Sequence, residues 1–182
     1  MKILVLMASP RCGGNTDLLC DSFIDGAKES GNVVEKINLG TLNIRGCKNC
    51  LQCFQNGVPC VQQDDMNSVY PSFMEADMVV FASPIYFWGI NGQLKSALDR
   101  TFALDYPPGM KYPVKEFSLL LTAGSNDPAV TQYAAPYFDY AMGEKLGWKN
   151  RGTIFAGGME KIGDVLVNGA YTQAYEMGKS IG

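Results

Sequence analysis

Four of the six cysteines lie within one short segment in the first third of the chain. They are Cys47, Cys50, Cys53 and Cys60, which form the pattern C-x2-C-x2-C-x6-C. Four thiolates at this spacing can surround a [4Fe–4S] cluster or a zinc ion, and the C-x2-C-x2-C run favours iron and sulfur. The same residues could also be free or reversibly paired thiols. The spacing alone leaves these three interpretations open.

The chain contains no histidine. Ser-His and Cys-His nucleophilic pairs, histidine-bound zinc and a histidine general base are therefore excluded. Any chemistry depends on carboxylates, thiols, tyrosines or a cofactor, and a cofactor is the simplest choice. We accordingly assign no side chain as a catalytic acid or base.

A short polar turn, residues 9 to 16, follows the first apolar run and leads directly into a helical pattern. The first turn of a helix offers unpaired N–H groups and a partial positive charge. Ser9, Asn15 and Thr16 add neutral donors and Arg11 adds a cation, so the turn suits a phosphate monoester. A Walker loop is excluded because the turn lacks lysine, and its glycines do not match the dinucleotide fingerprint. The alternative is an ordinary capped helix start.

Three adjacent aromatic residues, Tyr86, Phe87 and Trp88, follow another apolar run and precede Gly89. Core residues alternate along a strand or recur at helical spacing, so three neighbours cannot all face one interior. At least one is free for a ligand or partner. A flavin ring needs a stacking or edge contact and backbone donors and acceptors around its polar rim, and this segment offers both. The alternative is an exposed aromatic lip or subunit contact, and the two can coexist.

The elements that must position these segments alternate between apolar runs and helical patterns, which predicts a parallel sheet covered on both faces. The predicted strands are Ile3 to Ala8, Val33 to Leu39, Met78 to Ala82, Phe117 to Thr122 and Thr153 to Ala156. Three helices are predicted with definite bounds: Asn15 to Glu29, Gly89 to Phe102 and Asn168 to Ile181. A further helix, short or bent because it contains Pro71, is predicted to be capped by Asp64 or Asp65. Another is predicted to have Pro136 in its first turn and to end before Gly147. Only the loop from Asp105 to Lys115 is expected to be irregular.

A third polar segment, Thr122-Ala123-Gly124, ends the fourth predicted strand. Its small residues permit backbone amides to approach the edge of a ring closely. Open α/β sheets bind ligands beyond the carboxyl ends of their strands, at the point where the strand order reverses. The polar turn, the aromatic segment and this third segment are therefore predicted to form one site.

These segments together resemble the flavodoxin-like NAD(P)H-dependent FMN reductases, and the resemblance spans most of the chain. The matching motifs are Ser9-Pro10-Arg11, Gly14-Asn15-Thr16, Ser83-Pro84-Ile85-Tyr86, Leu94-Lys95, Asp99-Arg100 and Thr122-Ala123-Gly124. The resemblance implies one domain over residues 1–182, a three-layer α/β sandwich with a five-stranded parallel sheet in the order 2-1-3-4-5. It also implies FMN as cofactor and NAD(P)H as co-substrate. The implied cofactor-binding residues are Ser9, Arg11, Gly14, Asn15, Thr16, Pro84, Ile85, Tyr86, Phe87, Trp88, Gly89, Thr122, Ala123 and Gly124. Lys95 and Asp99 are interpreted as an ordinary i,i+4 surface pair.

The cysteine segment resembles the iron–sulfur flavoproteins, a branch of the same family in which a compact cysteine motif precedes the third strand. That resemblance implies a [4Fe–4S] cluster held by Cys47, Cys50, Cys53 and Cys60, which would relay single electrons to or from FMN. Without a cluster, the segment would serve as a lid or subunit contact. Cys20 lies on the interior pattern of the first helix and is predicted to be a core residue.

The leading prediction is an FMN-dependent oxidoreductase that takes hydride from NAD(P)H and reduces a quinone, a flavin or a similar small acceptor. The alternatives are a non-enzymatic flavin or iron–sulfur electron-transfer protein that serves a redox partner, and a thiol or metal sensor. A net charge of -3 without a basic run argues against nucleic acid or a membrane as partner. The short first apolar run and the cysteine content favour a cytoplasmic protein, and the aromatic segment suggests a homodimer.

Overall fold

The structure is a computed structural model that describes residues 1–55, 59–105 and 114–182. The strands are β1 (Lys2–Met7), β2 (Val33–Asn38), β3 (Met78–Tyr86), β4 (Gly89–Ile90), β5 (Glu116–Thr122) and β6 (Lys149–Ala156). The helices are α1 (Asn15–Glu29), α2 (Met66–Glu75), α3 (Gly92–Asp105), α4 (Ala134–Phe138), which continues as a π-helix over Asp139–Lys145, and α5 (Gly169–Lys179). The loop predicted to be irregular lies largely outside the described residues.

The five long strands form a parallel sheet in the order β2-β1-β3-β5-β6, and the short β4 pairs antiparallel with β3. Counted without β4, this is the predicted order 2-1-3-4-5, which is confirmed. The strand order reverses between β1 and β3, where Met7 lies beside Ala82. The carboxyl ends of β1, β3 and β5 therefore meet at the reversal point.

Helices cover both faces of the sheet, because successive residues of each central strand point to opposite sides. On one face, Leu6, Phe81 and Leu119 pack with α2, α3 and α4. On the other, Val5 and Val80 pack with α1 and α5, and Cys20 is buried there as predicted. Burial on both faces explains why these strands are almost continuously apolar.

Helix α1, which begins at the polar turn, is held against α5 by two glycines. A Cβ at Gly26 would lie 2.0 Å from the carbonyl oxygen of Tyr175, and a Cβ at Gly178 would lie 2.0 Å from that of Phe23. The two helix backbones are therefore in direct contact, with no room for a side chain between them. This packing fixes the position of α1 relative to the sheet.

Some predicted element boundaries were wrong. Helix α3 begins at Gly92 rather than Gly89, because Gly89 and Ile90 pair back onto β3 as β4. β3 continues through Tyr86 instead of ending at Ala82, and β6 begins at Lys149 instead of Thr153. The first half of β6 is polar because this strand lies at the edge of the sheet, where its side chains meet water. Helix α2 is short and contains Pro71, as predicted.

No helix in the described ranges is both long enough and apolar enough to cross a membrane.

Candidate functional site

A cleft lies at the carboxyl ends of β1, β3 and β5, at the point where the strand order reverses. The cleft contains about 500 Å³ of space between atoms, part of which is open to solvent. All but three of the predicted cofactor-binding residues line it: Ser9, Arg11, Gly14, Asn15, Thr16, Pro84, Ile85, Tyr86, Thr122, Ala123 and Gly124. Met159, which the sequence did not suggest, completes the lining. The three separate sequence segments therefore meet in one place.

The N-terminus of α1 forms one end of the cleft. Gly14 occupies the N-cap position, and no side chain in the described part of the chain caps the helix, so its first N–H groups have no intrahelical partner. The Arg11 side chain is exposed and forms no hydrogen bond or ion pair with another described residue. Asp17 adds a negative charge nearby; its carboxylate accepts a hydrogen bond from Gly13 and pairs with Lys36, which Asp21 shares. This end of the cleft is therefore electrostatically suited to an anion.

The side chain of Asn15 is engaged in the structure of the cleft itself. Its Nδ2 donates to the carbonyl of Lys161 at 2.7 Å, and its Oδ1 accepts from the N–H of Gly163 at 2.9 Å. Asn15 thus connects the polar turn to a loop almost 150 residues away in the chain. The backbone N–H of Asn15, in the first turn of α1, has no intrahelical partner.

Thr16 is also tied to the far side of the cleft. Its hydroxyl lies 2.7 Å from the hydroxyl of Thr122, and both residues are buried. Because Thr16 is in the first turn of α1 and Thr122 ends β5, this hydrogen bond sets the distance between two of the three predicted segments. A pair of threonines so far apart in sequence gave no signal of this contact.

The ends of β3 and β5 form the rest of the cleft. Pro84, Ile85 and Tyr86 line one side, and Ala123 and Gly124 line another. A Cβ placed on Gly124 would meet nothing within 4 Å, so the space beside this backbone is open to a ligand. Ala123 is held in place because its N–H donates to Ala156 and its carbonyl accepts from Met159.

Phe87, Trp88 and Gly89 were predicted to contact the cofactor, but they do not line the cleft. Phe87 and Trp88 form the two-residue turn between β3 and β4, with φ values of 49° and 62°. Such turns strongly favour asparagine and glycine, because left-handed backbone is strained for other residues. The two side chains are 95% and 55% exposed, and their rings pack edge to face at 5.2 Å.

A buried network that sequence reasoning missed holds the cleft together. Asn91 Nδ2 donates to the carbonyl of Ala8 at 2.6 Å, and the N–H of Asn91 donates to Ser83 Oγ at 3.0 Å. Asn91 Oδ1 also accepts from the N–H of Leu94, so Asn91 caps α3. One side chain therefore joins the ends of β1 and β3 to the start of α3. An asparagine directly before a helical pattern was the available signal, but placing the helix start at Gly89 concealed it.

Gly40 supports the polar turn from the side. It lies in the turn after β2, and a Cβ there would be 2.0 Å from the carbonyl oxygen of Ser9. The backbone of Ser9 and Pro10 rests directly on this glycine. The sequence offered no signal of this contact, because it joins two loops that are distant along the chain.

The four cysteines of the predicted metal motif line a second pocket, against the C-terminal half of α3. They are Cys47, Cys50, Cys53 and Cys60, and all four are free thiols. Burial raises the pKa of Cys53, and the charges of the three neighbouring thiols raise it further. Within residues 1–55, 59–105 and 114–182, no three histidine, cysteine or acidic side chains form a group that could hold a single metal ion.

The backbone of the cysteine segment is unusual on both sides of Cys50. Asn49 and Leu51 have φ values of 50° and 57°, in the left-handed region that glycine normally occupies. Non-glycine residues in this conformation are strained and tend to cluster at functional sites. The cysteine pocket shares no lining residue with the cleft. Arg100, in the pocket wall, lies about 12 Å along α3 from Gly92, which is next to the cleft.

Lys95 and Asp99 form an exposed i,i+4 ion pair on α3. The prediction of an ordinary surface pair is confirmed.

The model of the NADPH-dependent FMN reductase family matches residues 1–135 of this chain. This chain belongs to the NADPH-dependent FMN reductase family. The matched region contains the uncapped helix, the cysteine motif, the aromatic turn and the third segment. The predicted family is confirmed.

Comparison with curated proteins finds an iron–sulfur flavoprotein from Archaeoglobus fulgidus that is 33% identical over 111 residues, which cover 61% of this chain and 50% of that protein. The chain spans about half the length of the curated relatives it matches. Because several of these relatives are iron–sulfur flavoproteins, the predicted resemblance to that branch is confirmed.

Among solved structures, an NAD(P)H:quinone oxidoreductase from Methanothermobacter marburgensis has a TM-score of 0.75 at 18% identity, covering 98% of this chain and 96% of that one. An FMN-dependent NADH-azoreductase from Bacillus anthracis, in complex with FMN, has a TM-score of 0.70 at 20% identity and covers 97% of each chain. These similarities show a shared fold and confirm the flavodoxin-like architecture.

Proposed function

We propose that the cleft binds FMN and that the protein uses it to transfer electrons from NAD(P)H to a small acceptor such as a quinone or a flavin. The observation that carries this proposal is the uncapped N-terminus of α1 in the cleft, together with Arg11, whose side chain pairs with no described residue. Membership of an FMN reductase family supports the same cofactor. Residues 1–182 would then act as one FMN-binding domain.

The phosphate of FMN would occupy the α1 end of the cleft. A phosphate monoester carries nearly two negative charges at neutral pH, and the free N–H groups of Asn15 and Thr16, the Arg11 guanidinium and the partial charge of the helix would stabilise them. Since the Asn15 side chain is engaged with Lys161 and Gly163, we assign the interaction of this residue to its backbone N–H. The side chain would act indirectly, by holding the neighbouring loop in place.

The flavin ring would lie between Pro84 to Tyr86 on one side and Ala123, Gly124 and Met159 on the other. When bound, FMN supplies the redox chemistry, accepting hydride and passing electrons on. The chain's own contribution is to bind the phosphate, orient the ring and exclude water from one face. No side-chain acid or base is required for these tasks, which agrees with the absence of histidine.

The phosphate assignment is tested by comparing FMN with riboflavin, which lacks the phosphate. Arg11→Gln should weaken FMN binding by about 10- to 100-fold, the loss expected for a hydrogen bond to a charged group, and should leave riboflavin binding nearly unchanged. Lys28→Gln is the matched control, because Lys28 lies in the last turn of the same helix and its loss changes the net charge equally. Equal effects of R11Q on both ligands would overturn the assignment.

We also propose that Cys47, Cys50, Cys53 and Cys60 hold a [4Fe–4S] cluster, which when bound carries single electrons. The four free thiols line one pocket, and thiols around a cluster stand farther apart than those around one ion. The names of the iron–sulfur flavoprotein relatives support this proposal. Anaerobically purified protein should contain about four iron and four sulfide per chain. Anaerobic protein that contains only zinc or no metal would refute it.

The electron acceptor is tested with the purified holoprotein. Steady NAD(P)H consumption with FMN and a quinone is expected for a reductase. Absence of turnover, together with fast electron exchange with a redox protein, would instead show a non-enzymatic carrier. A homodimer and a cytoplasmic location stay predictions, and the exposed Phe87 and Trp88 support the first of these.

A further inference from the structure

A buried ion pair lies beneath the cysteine pocket. Arg100 on α3 contacts Asp64, which precedes α2, through two parallel hydrogen bonds: Nη1 to Oδ2 at 2.7 Å and Nη2 to Oδ1 at 3.1 Å. The two side chains are only 1% and 2% exposed. Arg100 Nη1 also donates to the carbonyl of Arg45 at 3.0 Å, which anchors the start of the cysteine segment.

The charges around this pair do not cancel. The Asp64 carboxylate also accepts from the N–H of Arg45 and lies 3.5 Å from the Nε of its guanidinium. One carboxylate is thus shared by two guanidinium groups. Lys48 adds a further cation at the exposed rim of the pocket. Of the described residues that line the pocket, Asp99 alone is acidic, and it is paired with Lys95. The wall of the cysteine pocket therefore carries a surplus of positive charge.

These contacts use three of the five N–H donors of Arg100. Its Nε is buried and has no hydrogen-bond partner within the described part of the chain, although an unsatisfied buried donor costs about 1–3 kcal/mol. The same side chain lines the pocket that contains the four cysteines. An orphaned buried donor in a native protein calls for an explanation, and an absent ion or ligand is one of the recognised ones.

Stability alone does not explain this arrangement. A buried ion pair is often no more stabilising than apolar side chains of similar volume, and α3 packs against apolar neighbours along the same face. Cys60 lines the same pocket as Arg100, and the Tyr70 hydroxyl donates to the Arg100 carbonyl at 3.2 Å. The ion pair, the Nε–H of Arg100 and the thiols therefore border one pocket.

We propose that Arg100 is a positioning residue for the group held by the four cysteines, with its free Nε–H available to a cysteine or inorganic sulfur of that group. This inference rests on the proposed [4Fe–4S] cluster. A cluster bound by four thiolates is anionic and gains one negative charge when it is reduced. A buried cation beside it stabilises the reduced form more than the oxidised form, because the surrounding dielectric is low. Arg100 should therefore raise the reduction potential of the cluster.

The test is the midpoint potential of the cluster in anaerobic holoprotein. It is measured in a redox titration that is monitored by visible and electron paramagnetic resonance spectra. Arg100→Met should favour the oxidised cluster at least tenfold, a fall of ~59 mV for a one-electron couple. Lys48→Met is the matched control: it removes the same charge from the solvent-exposed rim of the same pocket, where screening is stronger, so its shift should be less than threefold. Equal shifts in the two variants would overturn the proposal.

Arg100→Met leaves Asp64 without its main partner and could fail to fold for that reason. The double variant Asp64→Asn with Arg100→Met removes both buried charges, so it avoids this penalty. Because these two charges largely offset each other, a change of potential in the double variant reports the loss of the Nε–H contact. A lowered potential in the double variant, or a folded double variant that loses its iron, supports the proposal. An unchanged potential with full iron content, or failure of both variants to fold, overturns it.

The two proposals fail in different ways. Wild-type anaerobic protein without iron and sulfide would overturn the cluster and the role of Arg100 together. Wild-type protein with a full cluster, but with the same potential after loss of Arg100, would overturn only the role of Arg100.

Discussion

Replacement of Gly40 by alanine should disrupt FMN binding, although Gly40 does not line the cleft. A Cβ at this position would lie 2.0 Å from the Ser9 carbonyl oxygen and 2.8 Å from Pro10 Cα, whereas real Cβ contacts are almost never shorter than 3.0 Å. Both obstacles are backbone atoms, so the turn that contains Ser9 and Pro10 must shift by about 1 Å, at a cost of about 1–3 kcal/mol.

A shift of this size would misplace Ser9 and Arg11 relative to the first turn of α1. Loss of one good hydrogen bond to a phosphate corresponds to about 1.5–3 kcal/mol, so the affinity for FMN should fall by about 10- to 100-fold. Binding of FMN and riboflavin is measured by titration, and the free energy of unfolding is measured in urea. The loss should be larger for FMN than for riboflavin, because the displaced turn is at the phosphate end.

Gly169→Ala is the control, because Gly169 is exposed and a Cβ there would meet no described atom within 4 Å. This variant should bind both ligands like the wild type. If the G40A variant bound FMN as tightly as the wild type and were equally stable, the argument from the Ser9 contact would be refuted. Equal losses for FMN and riboflavin would show that the damage is general and not confined to the phosphate end.

Three other predictions concern the frame of the site. Phe87→Asn combined with Trp88→Gly should raise the free energy of unfolding by about 2 kcal/mol, because both positions have left-handed backbone; an unchanged melting temperature would contradict this. Asn91→Ala should lower the free energy of unfolding by about 2–4 kcal/mol, since it removes the cap of α3 and leaves the buried Ala8 carbonyl unpaired; urea unfolding with a loss below 1 kcal/mol would argue against the network. Burial would raise the pKa of Asp64, but hydrogen bonds from Arg100 outweigh it and hold this pKa below its usual range. The stability that this carboxylate contributes is therefore present above about pH 4 and is lost as the pH falls through its folded-state pKa. Unfolding measured between about pH 3 and 5.5 should therefore depend less on pH in D64N than in the wild type, and identical slopes would exclude this contribution.

Local patterns were sufficient to predict most of the fold. The predicted bounds of α1 agree with the structure, because its apolar face and the following Gly31 are both local signals. The central strands were predicted because burial on both faces makes them continuously apolar. The start of β6 was missed because an edge strand is paired through its backbone while its side chains stay polar. The start of α3 was missed because a two-residue turn built from Phe87 and Trp88 does not have the usual turn sequence.

The candidate site was predictable in outline for a related reason. In a parallel sheet, the loops after β1, β3 and β5 must meet at one edge, so the order of the elements alone brings Arg11, Tyr86 and Gly124 together. The compact cysteine spacing likewise predicts a shared pocket, which the structure contains. These are properties of residue type and order along the chain.

The amino-acid sequence by itself therefore determined the α/β architecture, the edge of the sheet at which a ligand would bind and the grouping of the four cysteines. Only the tertiary structure decided that the Asn15 side chain holds a distant loop, that Gly40 supports Ser9, that Asn91 joins three elements and that Arg100 is buried against Asp64 beside the thiols. The physical reason is the range of the interactions. Hydrophobic periodicity and turn chemistry act between near neighbours in sequence, whereas these contacts join residues far apart along the chain that meet only once the sheet and its helices have packed.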